Sequence, residues 1–125
     1  MASFLNDYFN PFHPVTGDQI ITGNGLTVVE SMLAFNLGDV GDGILVSSPI
    51  YGRFELDFGN EARLKIIYAE MKGVDSFDEA VIERFEQAIQ DAKEKGVRIR
   101  ALLISNPSNP LGRIVWLSCH LPVLV

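Results

Sequence analysis

Cysteine is nearly missing from this chain: Cys119 stands alone among 125 residues. A single thiol cannot close an internal disulfide, so a disulfide-stapled secreted scaffold is excluded and a reducing compartment fits. The only basic neighbour is His120, so the thiol reads as incidental or buried rather than reactive. Two ligands with no further pair also fall short of a metal site. No apolar run approaches the roughly 20 residues that span a bilayer. The start, Met1-Ala-Ser-Phe-Leu-Asn-Asp-Tyr8, has neither the basic residues nor the apolar stretch of a secretory signal. Positive charge is scarce too, with 10 lysines and arginines against 16 acids, a net charge of -6 and a pI near 4.7. That balance argues against a nucleic-acid partner and against an anionic membrane surface. Repeats and low-complexity linkers are absent. What is left is 47% hydrophobic and 21% charged, the balance of one soluble, acidic, globular domain, expected in the cytoplasm.

What is present alternates short β-rich runs with helical stretches, the pattern of βαβ units and a mostly parallel sheet. Gln19-Ile20-Ile21-Thr22 reads as a strand running into Gly23-Asn24-Gly25. Residues 26–37 read as a helix with Val29, Met32 and Leu33 on an apolar side. The glycines and aspartates of residues 38–43 break it, because they supply the backbone angles of tight turns. Ile44-Leu45-Val46-Ser47 follows as a strand, and residues 64–69 as another. Ser76-Phe77-Asp78-Glu79 matches a capping box. The helix it predicts carries Phe77, Val81, Phe85, Ala88, Ile89 and Ala92 on one stripe, with Lys93 and Lys95 in its last turn and Gly96 as its stop. Residues 98–105 read as a fourth strand, with Ala101-Leu102-Leu103-Ile104 as its buried run. The fold class is α/β.

In such sheets ligands sit at the carboxyl ends of the strands. Three segments there have unusual chemistry, and if one sheet holds them they converge on one site. Gly23-Asn24-Gly25-Leu26-Thr27 is a glycine-rich turn into a helix, whose free amides suit a phosphate. It lacks the third glycine of a dinucleotide fingerprint, position 28 being Val28, and the Lys-Ser/Thr of a Walker loop. By itself it is also an ordinary strand-to-helix turn. Tyr51, just past Pro49 and Ile50, is placed to stack on a flat ring, or simply to sit at the surface. In Asn106-Pro107-Ser108-Asn109-Pro110-Leu111-Gly112, prolines fix the backbone on both sides of Asn109 and can aim its amide. An X-Pro bond in such a turn can be cis.

Together, and in this order, these segments resemble the class I and II aminotransferases, the fold-type I pyridoxal-phosphate enzymes. Asn-Pro-Ser-Asn-Pro-Leu-Gly after an apolar strand is especially similar to the aminocyclopropane-carboxylate synthases. Residues 21–30 look like the phosphate loop and its helix, and residues 46–54 like the strand that delivers a stacking aromatic. The resemblance covers residues 1–113 and implies part of the pyridoxal-phosphate-binding large domain. It implies that Gly25 and Leu26 hold the cofactor phosphate through backbone amides, with Asn24 a weaker neighbour. Leu26 stands where relatives often carry a hydroxyl, which implies one lost side-chain contact. Tyr51 matches the aromatic stacked on the pyridine ring. Asn109 matches the asparagine that hydrogen-bonds the cofactor's phenolic oxygen, and Pro110 a proline that follows a cis bond.

The family's chemistry runs through a lysine that links to the cofactor and later moves the α-proton of an amino-acid substrate. An aspartate on the pyridine nitrogen and an arginine on the substrate carboxylate assist it. In relatives all three follow the asparagine motif, and Lys65, Lys72, Lys93 and Lys95 match nothing catalytic. The expectation is therefore a pyridoxal-phosphate-binding fragment that lacks the catalytic lysine, with transaminase and carbon-sulfur lyase chemistry both open for the longer family. An N-terminal arm and a partner-subunit tyrosine are expected to be missing as well. Residues 114–125 read as an unrelated apolar tail. Relatives are homodimers, and the open sheet edge with this tail predicts self-association. The alternative reading is a non-catalytic module that pairs with full-length relatives.

Overall fold

The computed structural model describes residues 1–114, so the tail beyond Ile114, with Cys119 and His120, lies outside the described residues. The centre is β1, Gly43–Ser47. Its run of Ile44, Leu45 and Val46 is the most deeply buried part of the chain, each no more than 1% exposed. Such continuous apolarity belongs to a strand covered on both faces. Parallel neighbours flank it: β2 (Lys65–Ala69) on one side and β3 (Ile99–Leu103) on the other, in the order β2-β1-β3. Gly43 is the entry to β1 because a side chain there would come within 2.8 Å of Ile99 and 2.9 Å of Ile67.

Alternation along β1 feeds two cores. Ile44 and Val46 pack with Ala34, Phe54, Phe58, Ala62 and Leu64, beneath α2 (Leu26–Leu37) and α3 (Phe54–Gly59). Leu45 faces the other way, against Ala69, Phe85 and Ala88 beneath α4 (Val81–Glu94). The result is a three-layer α/β/α arrangement, a partial α/β domain with an open parallel sheet, as expected. Chain order 1-2-3 in spatial order 2-1-3 means that the chain reverses direction across β1. The junction between the carboxyl ends of β1 and β3 is thus a topological switch point, where connections leave a crevice.

Several elements differ from the reading above. The strand expected at Gln19–Thr22 is not there: Gly17–Gln19 is a short 3-10 turn. Thr16 and Gln19 cap each other reciprocally, and this local polar bonding outcompetes the β-branched pair that follows. The capping box of Ser76 and Glu79 does not open α4, which begins at Val81. Asp75 instead accepts the Phe77 amide at 3.0 Å and Asp78 the Ala80 amide at 3.2 Å, drawing residues 75–80 into turns. Phe77 leaves the predicted stripe, while Phe85, Ala88 and Ala92 keep it. Two short helices carried no clear signal, α3 and the N-terminal α1 (Ala2–Phe9). Helix α1 buries none of its residues and is fastened by Asn6, whose amide makes paired bonds with the Val15 backbone at 2.7 and 3.0 Å.

Candidate functional site

The switch-point crevice is built by the segments that follow β1 and β3. Ser47, Pro49 and Ile50 line one side of a shallow cleft and Ile104, Ser105 and Ser108 the other, with Ser76 and Phe77 at its back. The loops carrying Tyr51 and Asn109 therefore meet. Tyr51, next to Ile50 of the cleft, is held edge-on to Phe54, 5.5 Å between ring centres, and stays 41% exposed. The backbone N–H of Asn109 donates to the Ser105 hydroxyl at 3.3 Å, and its side chain is exposed. The Ser48–Pro49, Asn106–Pro107 and Asn109–Pro110 peptides are all cis.

Gly25 and Leu26 do not line this cleft and stand at the start of α2. Its last carbonyl, Leu37, accepts a 2.7 Å bond from Arg100 on β3, and β1 begins six residues later. The helix thus runs antiparallel to the strands. Its 12 residues rise about 18 Å, matching the roughly 17 Å of a five-residue strand. Gly25 caps α2 at φ +82°, a conformation that favours glycine, with nothing within 4 Å of where a side chain would begin. No side chain caps the helix and Leu26 is 66% exposed, while the Gly25 amide donates to the Gly23 carbonyl at 2.9 Å. Uncapped amides at the positive end of a helix dipole are what an anion requires. The segments after β1 and β3, which carry Tyr51 and Asn109, thus meet at one cleft, and Gly25 and Leu26 lie outside its lining.

A buried carboxyl pair behind this end carried no sequence reading. Glu30 on α2 and Asp57 on α3 are each 5% exposed and face one another, and Glu30 Oε2 is buried without a hydrogen-bond partner. Burial first, then the bond to Asp57 and its charge, raise Glu30 from 4.5 to about 7. Near neutrality Glu30 thus keeps its proton part of the time beside Asp57, whose Oδ1 meets Arg53 Nε at 3.3 Å. Ser31 donates to the Asp57 carbonyl at 3.3 Å, so the pair sits inside a polar seam joining α2 to α3. An acid within Val28-Val29-Glu30-Ser31-Met32-Leu33-Ala34 was the available signal, since a charge in an apolar helix must find a partner. A second missed group is Arg113, whose Nη1 donates to both oxygens of Asp75 at 2.9 and 3.2 Å. Among the described residues no cluster of three potential metal ligands occurs, and no helix is long and apolar enough to cross a membrane.

Comparison with known proteins adds a family. The model described as "Aminotransferase class I and II" matches residues 1–118. A probable aminotransferase from Aspergillus oryzae is 32% identical over 114 residues, covering 90% of this chain and 26% of the relative. The 1-aminocyclopropane-1-carboxylate synthase 7 of Arabidopsis thaliana is 34% identical over 115 residues, 92% of this chain and 26% of its own length. A 1-aminocyclopropane-1-carboxylate synthase-like protein 1 from Bos taurus is 32% identical over 120 residues, 91% of this chain and 24% of the relative. The chain thus spans about a quarter of the length of the curated relatives it matches.

Proposed function

The chain belongs to the aminotransferase class I and II family, and on that premise we propose that the switch-point crevice and the α2 N-terminus together form a pyridoxal-phosphate site. Three features support this reading: an α2 N-terminus with no side-chain cap, a Tyr51 ring that is 41% exposed, and an exposed Asn109, the last two on loops that follow β1 and β3. These groups fit the cofactor's three chemical parts. The first-turn amides from Leu26 onward hold the phosphate beside the Gly25 amide, which donates to the Gly23 carbonyl at 2.9 Å, and the open space at Gly25 leaves room for its oxygens. Tyr51 covers one face of the pyridine ring and keeps water from it. The Asn109 side-chain amide donates to the phenolic oxygen.

When bound, the cofactor supplies an electron sink for negative charge at the α-carbon of an amino acid. The chain's part is to bind and orient. Lys65 opens β2 at the far end of the sheet, Lys93 and Lys95 close α4 there too, and Lys72 pairs with Glu70 at 3.5 Å. None of the four lysines stands at the crevice, so the reading gives this chain cofactor binding and assigns it no catalytic residue. Transamination or carbon-sulfur lysis of an amino acid, in the cytoplasm and in a homodimer, is the activity proposed for the family to which the site belongs.

Titration of the purified chain with pyridoxal phosphate tests the reading by the change in cofactor absorbance. Saturable uptake, weakened roughly three- to tenfold by Tyr51→Ala and competed by inorganic phosphate, is expected. Uptake that does not saturate, or that ignores Tyr51→Ala, sinks it.

A further inference from the structure

The loop that carries Asn109 is closed by a residue outside the asparagine motif. The carbonyl of Arg113 accepts the Ser108 amide at 2.7 Å, and the Ser108 carbonyl accepts the Gly112 amide at 2.6 Å. Gly112 turns at φ +66°, which brings the chain back on itself. The guanidinium then reaches 38 residues back in sequence to Asp75, as described, while its carbon lies 4.0 Å from the Phe77 ring centre. Its target is itself preformed, because Asp75 Oδ1 also accepts the Phe77 amide at 3.0 Å. Salt bridge and cation–π contact therefore act on one guanidinium from a rigid turn that also backs the crevice.

The pair is half exposed, with side chains at 55% and 51%, and exposed ion pairs add little to global stability. A contact that does little for the fold yet ties one wall of the crevice to its back has a local consequence. We propose that Arg113 is a positioning residue, which locks the 105–112 loop against the 75–77 turn and thereby sets the direction of Asn109. It touches no cofactor atom and acts through the loop. The link from loop to cofactor rests on the pyridoxal-phosphate reading above, whereas the lock itself does not.

Two readouts on the full chain separate these parts. Amide hydrogen exchange at Ser108 and Gly112 reports the lock. Arg113→Ala and Asp75→Asn are expected to speed it roughly five- to tenfold, the scale of an exposed ion pair plus a cation–π contact. Arg113→Lys, which keeps the charge but loses the planar stack, is expected to fall between. Amides of Phe85 and Ala88 on α4 stay unchanged and certify the fold. In parallel, affinity for pyridoxal phosphate falls by a similar factor, while affinity for inorganic phosphate, held at Gly25, does not move. Unchanged exchange at Ser108 and Gly112 in both Arg113→Ala and Asp75→Asn overturns the lock. Faster exchange with undiminished cofactor affinity overturns the positioning role. A wild-type chain that binds no pyridoxal phosphate defeats the cofactor reading, and the exchange arm then decides the lock alone.

Discussion

The two ends of this small sheet are finished in opposite ways. At the amino end, Asp42 accepts the Asp39 amide at 3.0 Å and two bonds from Arg98 at 2.7 and 3.2 Å, with Arg100 3.9 Å away. The backbone closes over the same point: the Gly41 amide bonds to Arg63, Gly43 to Arg98 and Lys65 to Asp42. At the carboxyl end, Tyr51 and Asn109 are exposed and one exposed ion pair ties the 105–112 loop to Asp75, and the α2 N-terminus likewise has no side-chain cap. A fold that needed every polar group for stability would finish both ends alike. The tied end holds the strands in register, and the open end leaves its donors and its ring for something else. Polar groups satisfied internally are structural, whereas those left free at a switch point are available to a ligand.

The strongest test of that division strikes beneath both ends at once. Ile44→Ala removes a fully buried side chain from the α2–α3 core and is expected to cost about 3 kcal/mol. Denaturant unfolding should show the loss, with cofactor affinity in the folded fraction untouched. An affinity that fell in step with stability would mean that the open end is no more than a product of the core, and the comparison would lose its meaning.

The next effect lies in the seam behind the open end. Glu30 titrates at about 7 in the folded chain against an ordinary 4.5, so the folded state holds the extra proton between those values. The contribution of this group to stability is therefore complete below pH 4.5 and is lost as pH rises through 7. Glu30→Gln keeps a donor toward Asp57 without the charge, and it should flatten this slope and add roughly 2 kcal/mol at pH 8. A wild-type stability that rises from pH 5 to pH 8 would contradict the pairing.

Much of this arrangement can be read from residues. The helix at Leu26–Leu37 was expected at those bounds, because a glycine turn precedes it and Gly38 follows. Strands β1, β2 and β3 announce themselves as apolar runs between turn residues. The glycine turn and the asparagine-proline loop are legible because Gly and Pro act on their own backbone, without help from distant chain. Helices α1 and α3 were not, being 8 and 6 residues long and too short for a clear period. The false strand at Gln19–Thr22 and the false cap at Ser76 share one cause. Thr16, Gln19, Asp75 and Asp78 bond to backbone within a few residues, and several patterns of such bonding fit the same letters. Glu30 with Asp57, and Arg113 with Asp75, are through-space pairs between separate elements, and nothing local encodes them.

A smaller change addresses the open end directly. Gly25 sits at φ +82° and ψ 170°, a region essentially reserved for glycine, so Gly25→Ala should cost about 1 kcal/mol in strain. Because the change shifts the first amides of α2, affinity for inorganic phosphate is expected to drop more than stability does. Calorimetric titration with phosphate, beside thermal unfolding, separates the two. Equal binding by Gly25→Ala and wild type would remove the α2 N-terminus from the site.

The least effect belongs at the tied end, and its smallness is the point. Arg98 beside Asp42, helped by the Asp39 amide, holds the Asp42 carboxyl below its usual range. A lowered carboxyl stabilises the fold above the unfolded value of 3.8, and that contribution fades as pH falls through the folded value. Asp42→Asn keeps an acceptor for the Asp39 amide while discarding the charge. The variant should melt slightly earlier at neutral pH and low salt. The deficit should shrink in high salt, since Arg98 is 57% exposed and screened, and it should vanish in acid. Pyridoxal-phosphate and phosphate binding should match wild type throughout, because the substitution lies at the opposite end of β1 from Ser47. If Asp42→Asn weakened binding as much as Gly25→Ala does, charge at the amino end would be setting the electrostatics of the carboxyl end. The two ends would then have to be understood as one network rather than as an anchor and a site.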